Sequence, residues 1–277
     1  MKRFLLCCLA AVALLLPGFA SAAYNCSISS GGVGASYSPS AGSTMIVQTS
    51  FTITCTRALA DASTMSWSVS ADNGSNAQGT HNRAAFGASR LAYDLFKDSA
   101  CGSQWRGPQS IAGSLAFGGS TSASTTVAIW ACIASGQNVA AGLYTDTVNM
   151  SLTYGSSPQS TALGTIGIAI STPASCSLST PPGNVVFAYV GFGAAANAST
   201  SYGVTCSTYL PYTMALDATS GTILGLNYTL ALGAASASGN GAEQTYTVSG
   251  NIAAGQAGTC ATGSCTASQA RTLTITY

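Results

Sequence analysis

The chain has 277 residues, enough for one large domain or two of ordinary size, and Asp, Glu, Lys and Arg make up only 5% of it, about a fifth of the usual share. With 47% hydrophobic residues and 31 glycines it can bury a core while covering its outside with small uncharged groups, which excludes a disordered tail. A formal net charge of +1 from scattered basic residues offers no stripe to nucleic acid or an anionic membrane, and a single histidine, His81, in the whole chain removes most triads, acid–base pairs and zinc sites. Binding or building is expected, not catalysis, and no cofactor or metal.

The first element is Lys2 and Arg3, the apolar run Phe4 to Leu16 and the small residues Ala20-Ser21-Ala22. Together they read as a secretory signal peptide over residues 1–22, cleaved after Ala22. Pro17 and Gly18 interrupt the run well short of the roughly 20 apolar residues that a membrane helix needs. Cleavage takes Cys7 and Cys8 away and leaves eight of the ten cysteines, an even number that in an exported chain argues for disulfides. It also leaves six basic against seven acidic residues.

The mature chain repeats itself once. Cys26 and Cys55 recur as Cys176 and Cys206, Leu91-Ala92-Tyr93-Asp94-Leu95 as Leu226-Asn227-Tyr228-Thr229-Leu230, and Ile133-Ala134-Ser135-Gly136-Gln137 as Ile252-Ala253-Ala254-Gly255-Gln256. Each copy closes on an alternating run, Val148 to Tyr154 and Arg271 to Tyr277. Period 2 predicts strands there, and Thr49 to Cys55 and Met65 to Ser70 read likewise. No window carries a capped apolar stripe of helical period. Short strands between Gly, Ser, Asn and Pro clusters predict an all-β chain of two successive antiparallel sandwiches.

Four cysteines per copy allow three pairings, among which sequence alone does not choose. The repeated spacing favours Cys26–Cys55 and Cys176–Cys206, one staple from the first strand to the next in each copy. Cys101–Cys132 and Cys260–Cys265 then remain. Three weaker signals carry little. Gly191-Phe192-Gly193-Ala194-Ala195-Ala196 matches a dinucleotide-binding pattern but no helix follows it. The sequons at Asn73, Asn197 and Asn227 and the pair Asp94 and Asp98 lack supporting context.

These residues resemble the spore coat protein U family, the subunits of archaic chaperone–usher pili. The likeness rests on the cysteine near the mature N-terminus, Leu91 to Phe96 followed by Trp105, the stretch Ile133 to Gly142, and the closing Tyr144 to Tyr154. The second copy departs from it: Phe187 to Gly191 is a loose version of the family's early Phe-Gly segment, and no Trp follows Tyr228. The resemblance implies immunoglobulin-like sandwiches, the second lacking its last strand, and a strand supplied by a neighbour. It implies as partners a periplasmic pilus chaperone, an outer-membrane usher, the next pilus subunit and an unknown surface or receptor.

On this reading the first copy spans residues 23–161 and the second 172–277. Between them, 162–171 is a linker or internal donor strand in which Ile166, Ile168 and Ile170 share one face and would complete the first copy. The alternative is an ordinary first strand of the second copy. Leu273, Ile275 and Tyr277 are the expected wall of the groove that accepts a partner's strand. About four residues ahead of Cys26 are too few for an outgoing strand of roughly eight to ten residues, so a place at the pilus tip, outside the cell, is expected. All three tryptophans and ten of the thirteen mature charges fall in the first copy, which is therefore the expected adhesive part, with Trp105, Tyr93 and Phe96 as candidate contact residues. A secreted coat protein without receptor and a soluble carbohydrate-binding module are the alternatives.

Overall fold

The computed structural model describes residues 24–39, 41–156 and 159–277, and every regular element among them is a strand. The expected signal peptide lies outside the described residues. The first ten strands are β1 (Asn25–Ser30), β2 (Val33–Ser36), β3 (Met45–Thr56), β4 (Thr64–Ala71), β5 (Asn82–Phe86), β6 (Ser89–Phe96), β7 (Ile111–Ala116), β8 (Ser122–Ile133), β9 (Gly142–Tyr154) and β10 (Ser160–Thr172). One layer runs β1-β3-β8-β6 and the other β7-β4-β9-β10-β2, with β5 linking the two. Phe51, Ile53, Leu91, Leu95, Ile129, Val148 and Met150 are buried between them.

The second set is β11 (Cys176–Thr180), β12 (Ala196–Cys206), β13 (Pro211–Leu216), β14 (Ser220–Ile223), β15 (Leu226–Leu232), β16 (Ser236–Ser238), β17 (Glu243–Ile252) and β18 (Leu273–Thr276). It repeats the pairing order: β11-β12-β17-β15-β14 matches β1-β3-β8-β6-β5, and β16-β13-β18 matches β7-β4-β9. The chain is thus all-β, two successive sandwiches, and among the described residues the second has no counterpart of β10.

The repeated sequence landmarks have a common structural cause. Cys26 stands opposite Cys55 and is bonded to it, and Cys176 stands opposite Cys206 in the same way, with Cα atoms 4.1 Å apart in both bridges. Closing a loop of this length raises stability by about 3–4 kcal/mol in the chain-entropy picture. Cys101 is bonded to Cys132 and Cys260 to Cys265. At the end of β8, Gln137 accepts from the Ala92 amide and donates to the Ala92 carbonyl, both at 2.8 Å. Gln256 holds Asn227 identically, at 2.7 and 2.9 Å. Gly136 and Gly255 precede these glutamines at φ of 74° and 80°, the left-handed turn that aims each side chain back at its hairpin and that favours glycine.

The strand expected from Val148 begins six residues earlier, at Gly142. The alternation continues inward through Tyr144 and Asp146, and it is the carboxylate at an inward position that hides the strand from a hydrophobicity reading. Asp146 is buried. Its oxygens accept from the Tyr93 hydroxyl at 2.8 Å, the Ser75 amide at 2.9 Å and the Asn76 side chain at 3.3 Å, the partners that make a buried carboxylate tolerable.

Candidate functional site: an open strand position

In the first sandwich β9 pairs with β10 along its whole length, from Tyr154 opposite Ser160 to Gly142 opposite Thr172. The other edge of β10 runs parallel to β2, Ile168 opposite Val33 and Ile170 opposite Ala35. Ile166, Ile168 and Ile170 are 0%, 3% and 0% exposed, while Thr165, Gly167 and Ala169 face outward. Residues 162–171 lie within the longer strand β10, paired with β9 on one edge and β2 on the other. Gly164 lets β10 cross close over β1, since a Cβ there would meet Ile28 Cγ2 at 2.8 Å and the Ile28 carbonyl at 2.9 Å. Burying the three isoleucines contributes roughly 5–9 kcal/mol.

The second sandwich has both walls of this arrangement without its middle strand. β18 corresponds to β9 and pairs with β13 through Met214 opposite Ile275 and Leu216 opposite Leu273. Among the described residues no strand pairs with the other edge of β18. The second wall is Val185 to Tyr189, the counterpart of Val33 to Tyr37. The Gln256 amide donates to the Tyr189 hydroxyl at 2.8 Å, as the Gln137 amide does to Tyr37 at 2.9 Å. Val33 to Ser36 forms a strand because β10 is beside it. Val185 to Ala188 forms none.

The floor of this open position is apolar. Tyr202, Val204, Tyr212, Met214 and Val248 are buried, whereas Leu273, Ile275 and Val185 are only partly covered, in contrast to the sealed isoleucines of β10. Leu273 and Ile275 lie on β18 beside its unpaired edge. Tyr277 lies one residue beyond β18 and is 59% exposed, at the mouth and not in the wall. A sandwich with one unpaired edge and a half-open core has the chemistry to take an extended segment, through backbone ladder bonds and alternate apolar side chains. Sequence reading did not place Val185, Phe187 and Tyr189 in this site. Alignment of Val33-Gly34-Ala35-Ser36-Tyr37 with Val185-Val186-Phe187-Ala188-Tyr189 was the signal that would have found them.

The candidate contact residues of the first sandwich need correction. Trp105 is fully buried, stacked on Phe51 with ring centroids 5.3 Å apart, and its indole donates to the Val69 carbonyl at 3.2 Å. Tyr93 is 2% exposed, because the alternation of β6 sends Leu91, Tyr93 and Leu95 inward together. Neither meets a surface. Phe96 points the other way and is half-buried. His81 is exposed and paired with Asp94 at 2.8 Å. Asp98 caps its own turn: the Gly102 and Ser103 amides hold its carboxyl below the ordinary value. No three His, Cys, Asp or Glu side chains among the described residues gather as around a metal ion.

Burial, and then the hydrogen bond to Asp146, push the Tyr93 phenol far above its ordinary value near 10. Tyr212 is raised by burial and by its bond to Tyr246, and Tyr202 by burial. Unfolded, these phenols lose their protons from about pH 10 upward; folded, they keep them, so stability is full below pH 10 and falls as pH rises past it. Urea midpoints at pH 8 and pH 10.5 check this. Tyr93→Phe is expected to cost about 1–3 kcal/mol at neutral pH, since Asp146 loses a donor, and to flatten the alkaline fall of the first sandwich.

Residues 11–151, just over half of the chain, match the model of the Spore Coat Protein U domain. No curated protein sequence is significantly similar. Among solved structures, the tip subunit of the archaic chaperone–usher Csu pili of Acinetobacter baumannii, seen in its CsuC–CsuE chaperone complex, is 14% identical over 91% of this chain and 100% of its own, with a TM-score of 0.44. The CupB6 tip adhesin of Pseudomonas aeruginosa is 11% identical over 92% of this chain and 96% of its own, with a TM-score of 0.41. CfaE, the adhesive subunit of CFA/I fimbria of enterotoxigenic Escherichia coli, is 10% identical over 88% and 96%, with a TM-score of 0.32. With the family model matched over more than half of its length, the chain belongs to the Spore Coat Protein U domain family.

Proposed function

We propose that this chain is an exported, non-enzymatic adhesive subunit of a chaperone–usher pilus, and that its second sandwich is completed by a strand from another subunit. The observation that carries the reading is the contrast between the two sandwiches: β10 seals the first, and its counterpart beside β18 is missing among the described residues. A periplasmic chaperone would fill the open position first, an outer-membrane usher would pass the complex outward, and the next subunit's extension would then replace the chaperone. The first sandwich, closed by its own β10, would be the part that meets a surface and supports biofilm growth. A place at the fibre tip rests on the expected cleavage after Ala22, and N-terminal sequencing of the exported chain tests that cleavage.

The reading is tested by expressing the chain in a periplasm with and without the matching pilus chaperone. A one-to-one complex is expected, with aggregation or degradation when the chaperone is absent. A stable monomer that ignores the chaperone overturns the pilus reading and returns the chain to the secreted binding modules.

A further inference from the structure

The two sandwiches show how one unit follows another. Near its end the Ser171 carbonyl of β10 accepts from the Tyr37 amide at 2.8 Å, and three residues after β10 ends at Thr172 the second sandwich begins at Cys176. The body of the second sandwich rests on the corner beside that exit. Asn138, next to Gln137, donates to the Asn240 carbonyl at 2.8 Å and accepts from the Thr208 hydroxyl, and Ala140 bridges to Thr208. The strand that completes a sandwich therefore leads straight into a folded body seated at the glutamine corner.

The second sandwich has the same corner, built by Gln256 and Tyr189, and its surface there is different. The Phe192 amide donates to the Gln256 carbonyl at 2.8 Å, the Gly193 amide to Val190 at 2.8 Å and the Gly255 amide to Gly193 at 3.0 Å, so the turn is held on both sides. It presents Val190 and Phe192 at 78% and 77% exposure. Phe192 has a φ of 59°, a left-handed conformation that costs a bulky residue on the order of 1 kcal/mol or more. In the first sandwich, counted from the matching tyrosine, Ser38 holds the place of Val190. Along the outward face of the wall, Val186 stands where the first sandwich has Gly34. Polar groups suffice at the corner that is tied to its neighbour by three residues of chain, where effective concentration is high. A corner joined to a separate chain lacks that tether and gains from apolar cover.

We propose that Val190 and Phe192, with Val186 alongside, form a docking face for the folded body of the subunit whose strand fills the open position, a β-sandwich carrying an apolar patch at the root of its extension. This rests on the strand-acceptor reading above and adds a second contact to it. The joint then has two parts, a strand in the slot and a body against the corner, as the in-chain joint has.

The test uses intact fibres from the cells that assemble them, with p-benzoylphenylalanine placed in the full chain at position 192, 275 or 163; Leu163, 79% exposed on the first sandwich, is the control. After irradiation, mass spectrometry identifies the adducts. Position 275 is expected to capture the extension of one subunit, position 192 the folded part of that same subunit, and position 163 neither. Capture at 275 with no subunit captured at 192, or with only chaperone or lipid there, overturns the docking face and leaves the strand reading intact. No capture at either position overturns both. Phe192→Asn, which relieves the left-handed strain, is expected not to lower the melting of the free chain and to release it from heated fibres about tenfold faster, the effect of losing one apolar anchor. Unchanged release overturns the proposal.

Discussion

Ile168→Asp is expected to unfold the first sandwich and leave the second as it was. Ile168 is buried at the centre of β10, between Ile166 and Ile170 on the core face. Its removal forfeits roughly 1.5–3 kcal/mol of burial, and a carboxylate without a partner in that place adds several more. A total loss of at least about 4 kcal/mol is comparable to the whole stability of a domain of this size. Ala169→Asp, one residue on and facing outward, is the control and is expected to change stability by no more than about 0.5 kcal/mol. Trp67, Trp105 and Trp130 all lie in the first sandwich, so tryptophan fluorescence during urea unfolding reports that unit alone. If Ile168→Asp unfolds at the same urea concentration as the parent chain, β10 does not seal the first core.

The second large effect concerns a strand supplied from outside. The free chain is expected to melt in two steps, the tyrosine signal of the second sandwich first and the tryptophan signal later, because Leu273, Ile275 and Val185 remain partly open to water while the isoleucines of β10 are sealed. A chaperone strand bound at 100 times its dissociation constant stabilises the folded form by about 2.7 kcal/mol. For a unit of about 100 residues that raises the first melting step by roughly 10–20 °C and leaves the tryptophan step in place. Ile275→Asp, opposite Met214 in the wall of the slot, is expected to abolish the gain without moving the tryptophan step. An equal gain in that variant would place the strand elsewhere on the molecule.

The difference between the sandwiches also explains why their outward faces differ. A wall strand already paired with its neighbour within one chain, as β2 is with β10, shows small groups to water at Gly34 and Ser36. The wall beside the open position carries Val186 outward as well as Val185 and Phe187 toward the core, where Phe187 lies 6.4 Å from the Tyr228 ring. Apolar residues on both faces of one segment are the pattern of backbone covered on both sides.

Much of this was legible in the sequence because it depends on local pattern. Period-2 alternation marked β9 and β18, the doubled spacing of Cys26–Cys55 and Cys176–Cys206 marked the repeat, and the run around Ile166, Ile168 and Ile170 showed a strand with one apolar face. These features follow from the geometry of the extended backbone, which any sequence must obey. Which face of the molecule a residue occupies is decided by what the rest of the chain places over it. Trp105 and Tyr93 read as contact residues by type and are buried, because Phe51 lies under the indole and Asp146 accepts from the phenol. β9 starts six residues before the alternating run from Val148 and includes Asp146, because Tyr93, Ser75 and Asn76 come from other segments to satisfy the carboxylate. Val185 to Ala188 forms no strand because none of the described residues supplies the strand that would pair with it, and that becomes visible once the two sandwiches can be laid one on the other.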